Sequence, residues 1–229
     1  LFFGSPGGGK SWSIIANAAN DAKLGYNVLY YTLELSETYV GKRMDAHLLG
    51  IPVDKISKHR AEIDEMMKNL PGKIIIKGFP SGKTTLDDLE KHTERLKNQY
   101  DFVPDVIYID YIDLLKNNSK DKLEGSEEIY VNARGWAGEM QVPIISPSQA
   151  NRTAEKSEII EGDNISGTYS KLMTGDIVIS LARSRKDKLK GTGRWYFMKN
   201  RFGPDGMTFG TTIDTSTGNI EVFEDQLDI

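Results

Sequence analysis

The chain has no cysteine and only three histidines among its 229 residues. The first absence excludes a disulfide framework, a thiolate zinc centre and a thiol nucleophile; the second argues against a His-rich metal site. No stretch approaches the roughly 18 consecutive apolar residues of a membrane span. No signal peptide is visible either, and the chain begins inside a motif, so the natural N-terminus is expected upstream. There is no excess of positive charge: 29 Lys+Arg stand against 33 Asp+Glu, a formal net charge of −4. That removes the global basic signature of many nucleic-acid binders, although a local positive channel can sit on an acidic protein. Tyr and Phe fall mainly within apolar runs, which leaves no platform for stacking bases. Internal repeats and low-complexity tracts are also lacking. With 38% apolar residues, the chain can build the core of one large or two small domains, and a soluble, cytoplasmic protein is expected.

What is present is concentrated near the start. Gly4-Ser5-Pro6-Gly7-Gly8-Gly9-Lys10-Ser11 fits G-x-x-x-x-G-K-[ST], the phosphate-binding loop. Glycines let successive backbone N–H groups turn inward onto phosphate oxygens. Lys10 is placed to reach the β- and γ-phosphates and the Ser11 hydroxyl to ligate Mg²⁺. Apolar Leu1-Phe2-Phe3 precedes the loop and an apolar-faced segment from Lys10 to Leu24 follows it, which supplies the strand–loop–helix context the motif needs. The competing reading, a glycine turn with a chance Lys-Ser, lacks that context.

Further on, apolar runs alternate with helical patterns. Strands are expected at Asn27–Leu33, Lys73–Lys77, Val106–Asp110, Val142–Ser146, Asp176–Ala182, Gly193–Lys199, Met207–Ile213 and Asn219–Phe223. Helices are expected from Ser36 to Leu49, from Asp54 to Leu70, from Thr85 to Gln99 and from Ser126 to Met140. Residues 117–125 and 150–168 read as loops. Alternation implies an α/β fold with a mostly parallel central sheet, helices on both faces and antiparallel hairpin strands at one edge.

Asp110 closes the run Val106-Ile107-Tyr108-Ile109, four apolar residues and an acid, the second phosphate-side motif of such folds. Its carboxylate is expected at the C-terminal edge of a buried strand, holding Mg²⁺ directly or through water. Hydrolysis also needs a group that orients the attacking water. The position after Asp110 is Tyr111, which cannot serve. Glu34, at the end of the strand after the first helix, is the candidate catalytic carboxylate, with Asp113 a secondary one. The competing reading of Glu34 is an acid favourable to the dipole of the next helix.

Taken together, GSPGGGKS, TLELS, VIYIDYIDLL, VPIISPSQANR and MKNRFGP resemble, in this order, the RecA-like motor domain of DnaB-type replicative helicases, nearest the phage branch. The resemblance covers nearly the whole chain. It rests on Leu33–Ser36, Ser148–Arg152 and Lys199–Pro204 more than on the phosphate motifs, which many families share. It implies a RecA-like P-loop NTPase over residues 1–229, with the family's N-terminal domain and linker helix outside this chain. Its implied function is ATP-driven unwinding of duplex DNA during replication by translocation on single-stranded DNA. It further implies ATP and Mg²⁺ as cofactors and a homo-oligomeric ring, a hexamer when full length. Primase and a helicase loader are implied as partners, in a bacterial or phage-infected cytoplasm.

By the same resemblance Glu34 matches the catalytic glutamate and Gln149 the polar residue that senses the γ-phosphate. Lys199 and Arg201 match the K-x-R that reaches the neighbouring subunit's nucleotide, Arg201 as an arginine finger. Arg43 matches a nucleotide-pocket arginine. The family's DNA loop, D-L-R-E-S-G, is here Asp163-Asn164-Ile165-Ser166-Gly167, without the Arg-Glu pair. Arg152, Ser166, Gly167 and Lys171 are the candidate DNA contacts, and the usual Gln after Asp-Tyr-Leu is Asp113. The basic cluster from Arg183 to Arg194 reads as a solvated hairpin tip. Two other functions stay open: a RecA-like recombinase or repair ATPase, and a KaiC-like regulatory ATPase with protein partners.

Overall fold

The computed structural model describes residues 1–117, 119, 121–151, 157–162 and 169–224. Strand β1 (Phe2–Gly4) runs into the glycine loop and helix α1 (Lys10–Lys23). Strand β2 (Val28–Thr32) leads to helix α2 (Glu37–Leu49), which Ser36 caps by accepting from the Tyr39 N–H and Gly50 ends in a left-handed conformation. The expected helix from Asp54 to Leu70 is instead a single 3₁₀ turn, Ile56–Lys58, followed by α3 (Arg60–Asn69). Strand β3 (Ile74–Gly78) follows. Helix α4 (Leu86–Tyr100) opens on a capping box formed by Thr85 and Asp88. Strand β4 (Val106–Asp110) precedes α5 (Lys122–Met140), which begins four residues earlier than its apolar pattern suggests.

The expected strand Val142–Ser146 divides into β5 (Ile144–Ile145) and β6 (Pro147–Gln149), which belong to different sheets. Pro147, which has no N–H to donate to a ladder, stands at the break and opens β6 opposite Phe2. Ser146 replaces the missing rungs: its Oγ donates to the Ile109 carbonyl at 2.8 Å and accepts from the Ile112 N–H at 3.0 Å. The chain then gives α6 (Tyr169–Thr174), β7 (Ile177–Ala182), α7 (Arg185–Lys190), β8 (Thr192–Asn200), β9 (Thr208–Asp214) and β10 (Asn219–Glu224). The basic stretch after Arg183 is therefore a helix. Ser184 and Asp187 form a capping box that starts it, and Gly191 ends it.

One sheet has the order β3-β2-β4-β5, all parallel; the other runs β6-β1-β7 in parallel, then β8, β9 and β10 antiparallel. This is the expected α/β architecture, with the hairpins at one edge. Strands β2 and β4 are buried on both faces, and their side chains alternate between two cores. Val28, Tyr30, Val106 and Tyr108 pack with Ile14, Ile15, Val40 and Met44 of α1 and α2. Leu29, Tyr31, Ile107 and Ile109 pack with Leu89, Leu96, Tyr130 and Trp136 of α4 and α5. The C-terminal ends of these two strands, Thr32 and Asp110, lie side by side. Among the described residues no helix is long and apolar enough to cross a membrane.

Candidate nucleotide site

Register brings the singled-out residues together. Gly4, the last residue of β1, pairs with Gln149 on one side and Leu181 on the other. Thr32, the last of β2, pairs with Asp110 of β4. The phosphate loop, Glu34, Asp110 and Gln149 thus all leave the sheet at the C-terminal ends of parallel strands, where α/β folds take ligands.

The loop itself needs its glycines. Gly7 and Gly9 have φ of 64° and 101°, in the region L side chains avoid, and a Cβ on Gly8 would lie 2.9 Å from the Ser5 carbonyl. Lys10 folds over the loop, donating from Nζ to the carbonyls of Gly4 (2.8 Å) and Ser5 (3.0 Å). Burial lowers its pKa to about 8, against the opposing pull of Asp110 and Glu34. A bound triphosphate favours the charged amine, so at alkaline pH nucleotide binding is expected to take up a proton. Calorimetric titrations in buffers of different ionisation enthalpy measure this; heats independent of buffer would contradict it.

Asp110 is fully buried. Its Oδ2 accepts from the Tyr30 hydroxyl at 3.1 Å and its Oδ1 from Ser11 Oγ at 3.4 Å. The Asp110–Tyr111 peptide bond is cis. Burial raises the carboxyl to about 6; Glu34 adds to the rise, while Tyr30, Ser11 and Arg43 oppose it. Between about pH 4 and about pH 6 the folded chain therefore holds a proton that the unfolded chain has released. Stability falls as pH rises through that window and stays lower above it. The neutral variant Asp110→Asn is expected to be more stable at neutral pH by about 2 kcal/mol while losing Mg²⁺-dependent hydrolysis. Scanning calorimetry decides: an unchanged or lower Tm contradicts this electrostatic account.

Glu34 is exposed, just past β2. A local turn sets its direction: Thr32 Oγ1 accepts from the Leu35 N–H (3.1 Å) and donates to the Leu35 carbonyl (2.7 Å), while the Leu33 N–H donates to the Asp110 carbonyl (2.8 Å). Its charge reaches Lys10, Asp110 and Tyr111. Gln149 donates from Nε2 to the Tyr111 hydroxyl at 3.2 Å. Arg43 is no free surface arginine: its guanidinium lies over Trp12 (4.4 Å) and Tyr39 (4.6 Å).

Two buried polar atoms have no hydrogen-bond partner among the described residues at this edge, Ser5 Oγ and Arg43 Nε. Such atoms usually find a ligand or water. For Mg²⁺, a hard cation that takes oxygens and keeps several waters, Ser11 Oγ and Asp110 Oδ1 are suitable and adjacent. No group of three or more His, Cys, Asp or Glu gathers among the described residues, so phosphate oxygens would complete the shell.

The basic helix α7 closes one side. Lys188 Nζ donates to the Pro6 carbonyl at 3.3 Å, and Arg183, buried, donates from Nε to the Thr192 carbonyl at 2.8 Å. Arg183, Lys188, Gly191, Thr212 and Asp214 line a cleft of about 540 Å³ that reaches Gly7. Arg183 is thus buried at the edge of the phosphate loop, whereas Lys188 touches Pro6 from an exposed position and the basic residues of α7 are solvated as expected.

The remaining candidates lie apart from the loop. Arg201 pairs through Nε with Asp176 Oδ1 (2.9 Å), which also accepts from Arg134 (3.0 Å). Lys199 donates to the carbonyls of Leu172 (3.0 Å) and Met173 (2.8 Å). Lys171, expected to meet DNA, is corrected: it is buried, pairs with Asp113 and sits 5.1 Å from the Tyr130 ring centre. Asp113 removes the cation from the surface. Arg152, Ser166 and Gly167 lie outside the described residues. Sequence reasoning missed Tyr30, whose hydroxyl holds Asp110; its place two residues before Thr32, on the face opposite Tyr31, is the only signal the sequence offers.

A strand, a glycine loop with its lysine, and a buried acid across the cleft define a P-loop nucleoside triphosphatase. The match is to the DnaB-like helicase C terminal domain over residues 2–209, and the chain belongs to that ATP-hydrolysing family. It is 24% identical over 213 residues to the DnaB-like replicative helicase of Enterobacteria phage T4, covering 85% of this chain and 45% of that protein. The chain thus spans about half the length of that relative. The fold matches a solved ATPase domain with a TM-score of 0.81 at 19% identity, over 99% of this chain and 84% of that one. It equally matches the structure of a DnaB-like replicative helicase and its interactions with primase (TM-score 0.81, 19% identity), over 99% of this chain and 58% of that one.

Proposed function

We propose that residues 1–229 form the motor of a replicative DNA helicase, which hydrolyses ATP at the edge of β1, β2 and β4 and so translocates on single-stranded DNA and unwinds duplex ahead of it. The observation that carries the reading is the convergence of Lys10, Glu34 and Asp110 on one strand edge, with Gln149 in register beside the first loop residue. The phosphates lie in the Gly4–Ser11 loop. The nucleoside extends toward the cleft between α7 and the β9–β10 turn, with Arg43 stacked on Trp12 at the other side of the site. Ser11 and Asp110 would hold Mg²⁺, which would supply positive charge against that developing on the phosphates.

Glu34 accepts a proton from the attacking water, which its exposed carboxylate can orient from the end of β2. Lys10 follows the charge onto the leaving phosphate. Gln149, held by Tyr111, can hydrogen-bond the γ-phosphate through its amide. Arg201 acts on a neighbouring subunit's nucleotide in a ring of six, with Lys199 in support. DNA runs past the segment that contains Arg152, Ser166 and Gly167; primase and a loader act on the assembled ring.

Strand displacement from a forked duplex by the full-length protein tests this. ATP-dependent release of the strand, lost in Lys10→Ala, is expected. ATP-dependent pairing or exchange of homologous strands without displacement would point to the recombinase reading instead.

A further inference from the structure

The geometry points to Lys171 as a positioning residue for Arg201, acting through helix α6 and resting on the trans role just proposed for that arginine. A lysine is almost never fully buried unless paired, and Lys171 is 6% exposed. Its amine meets Asp113 Oδ1. The other oxygen of Asp113 accepts from the Tyr130 hydroxyl at 3.0 Å and from Ser148 Oγ at 2.8 Å. This carboxylate is therefore satisfied from three elements at once: α5, β6 and α6. It lies three residues beyond Asp110, its charge acts on Lys10 and Tyr111, and Ser148 precedes Gln149. One end of the contact thus belongs to the nucleotide site of the same subunit.

The other end leads outward. Lys199 donates to the Leu172 and Met173 carbonyls, near the C-terminus of α6, where a cation is favoured by the unpaired carbonyls of the last turn. Two residues after α6, Asp176 takes Arg201 twice: its carbonyl accepts from the Arg201 N–H at 2.8 Å, and its carboxylate accepts from Nε. Leu172 packs with Phe3, the residue before the phosphate loop begins, and with Val178. Helix α6 is a six-residue piece, too short to hold its place by its own hydrogen bonds. Its position is set by Lys171, Leu172 and Lys199. A shift of the Asp113 end therefore moves the strand end that presents Arg201. The device joins the site a subunit owns to the one it completes next door.

The test separates giving a finger from receiving one. In the full-length protein, Glu34→Gln subunits hydrolyse only at the residual rate of that variant but still present Arg201. Arg201→Ala subunits keep Glu34 but present no finger. Mixed, the two are expected to regain hydrolysis. Lys171→Met added to the Glu34→Gln subunit is expected to lower the regained rate about tenfold, and added to the Arg201→Ala subunit to change it less than about twofold. Equal losses in both positions, or loss only in the Arg201→Ala subunit, overturn the proposal, as does no loss in either. Where Lys171→Met does not fold or assemble, Asp113→Asn in the Glu34→Gln subunit decides; it keeps acceptors for Tyr130 and Ser148, and the same loss is expected, its absence counting against the link. If the parent pair regains nothing, the trans role of Arg201 falls and this inference with it, a result distinct from a loss confined to the Lys171 variants.

Discussion

Arg201→Ala is expected to lower kcat by about 10³-fold or more in the assembled protein, because an arginine that meets transition-state charge contributes on that scale. The ground-state contacts of Arg201 in its own chain are modest by comparison. It shares Asp176 with Arg134, and all three side chains are more than a third exposed, a setting in which ion pairs contribute little. The variant should therefore fold with little change in Tm. A merely solvated strand end would predict no kinetic effect at all; a trans finger predicts poisoning. When Arg201→Ala subunits are titrated into the parent, activity should fall faster than the fraction of parent subunits. A fall that only tracks dilution would remove the trans role.

Glu34→Gln carries the second large effect. The amide cannot accept a proton, so kcat should drop by about 10²- to 10⁴-fold, while ATP binding survives because Lys10, Ser11 and the loop backbone are untouched. A further consequence separates chemistry from misfolding. Asp110 is raised first by burial and then by the charge of Glu34; removing that charge lets the Asp110 carboxyl fall back toward the usual carboxylate range. The pH below which Mg²⁺-dependent nucleotide binding fails should therefore move down in the variant. Fluorescent-nucleotide titrations across the acid range measure it. An unmoved midpoint would place Glu34 too far from Asp110 to share a substrate with it.

The parts of this site that could be read from the sequence are those written in consecutive residues. The phosphate loop, the apolar strand ending in Asp110 and the helix caps at Ser36, Thr85 and Gly50 are local rules of backbone and side chain, so their residues carry them alone. The alternation of apolar strands and helices pointed to the sheet with its antiparallel edge. Contacts between residues distant in the chain were invisible for the opposite reason. Tyr30 meets Asp110 across 80 residues, Lys171 meets Asp113 across 58, and Lys199 meets Leu172 across 27; no periodicity encodes such pairs. The basic run at 183–194 is solvated along α7, as its charge suggests; charge alone does not encode the Ser184–Asp187 box that makes it a helix, nor the burial of Arg183 beside the phosphate loop. The break at Ser146 was hidden by the apolar run on which the strand expectation rested, although Pro147 was in plain view.

The roles of Gln149, Lys199 and Arg201 all assume that the work of the phosphate site is tied to a nucleic acid strand. Steady-state ATP hydrolysis by the full-length protein, with and without single-stranded DNA, measures that tie directly. The account predicts a rate that rises with single-stranded DNA and vanishes in Lys10→Ala under both conditions. A rate that is the same with and without the strand would contradict it and would favour an ATPase whose partner is another protein.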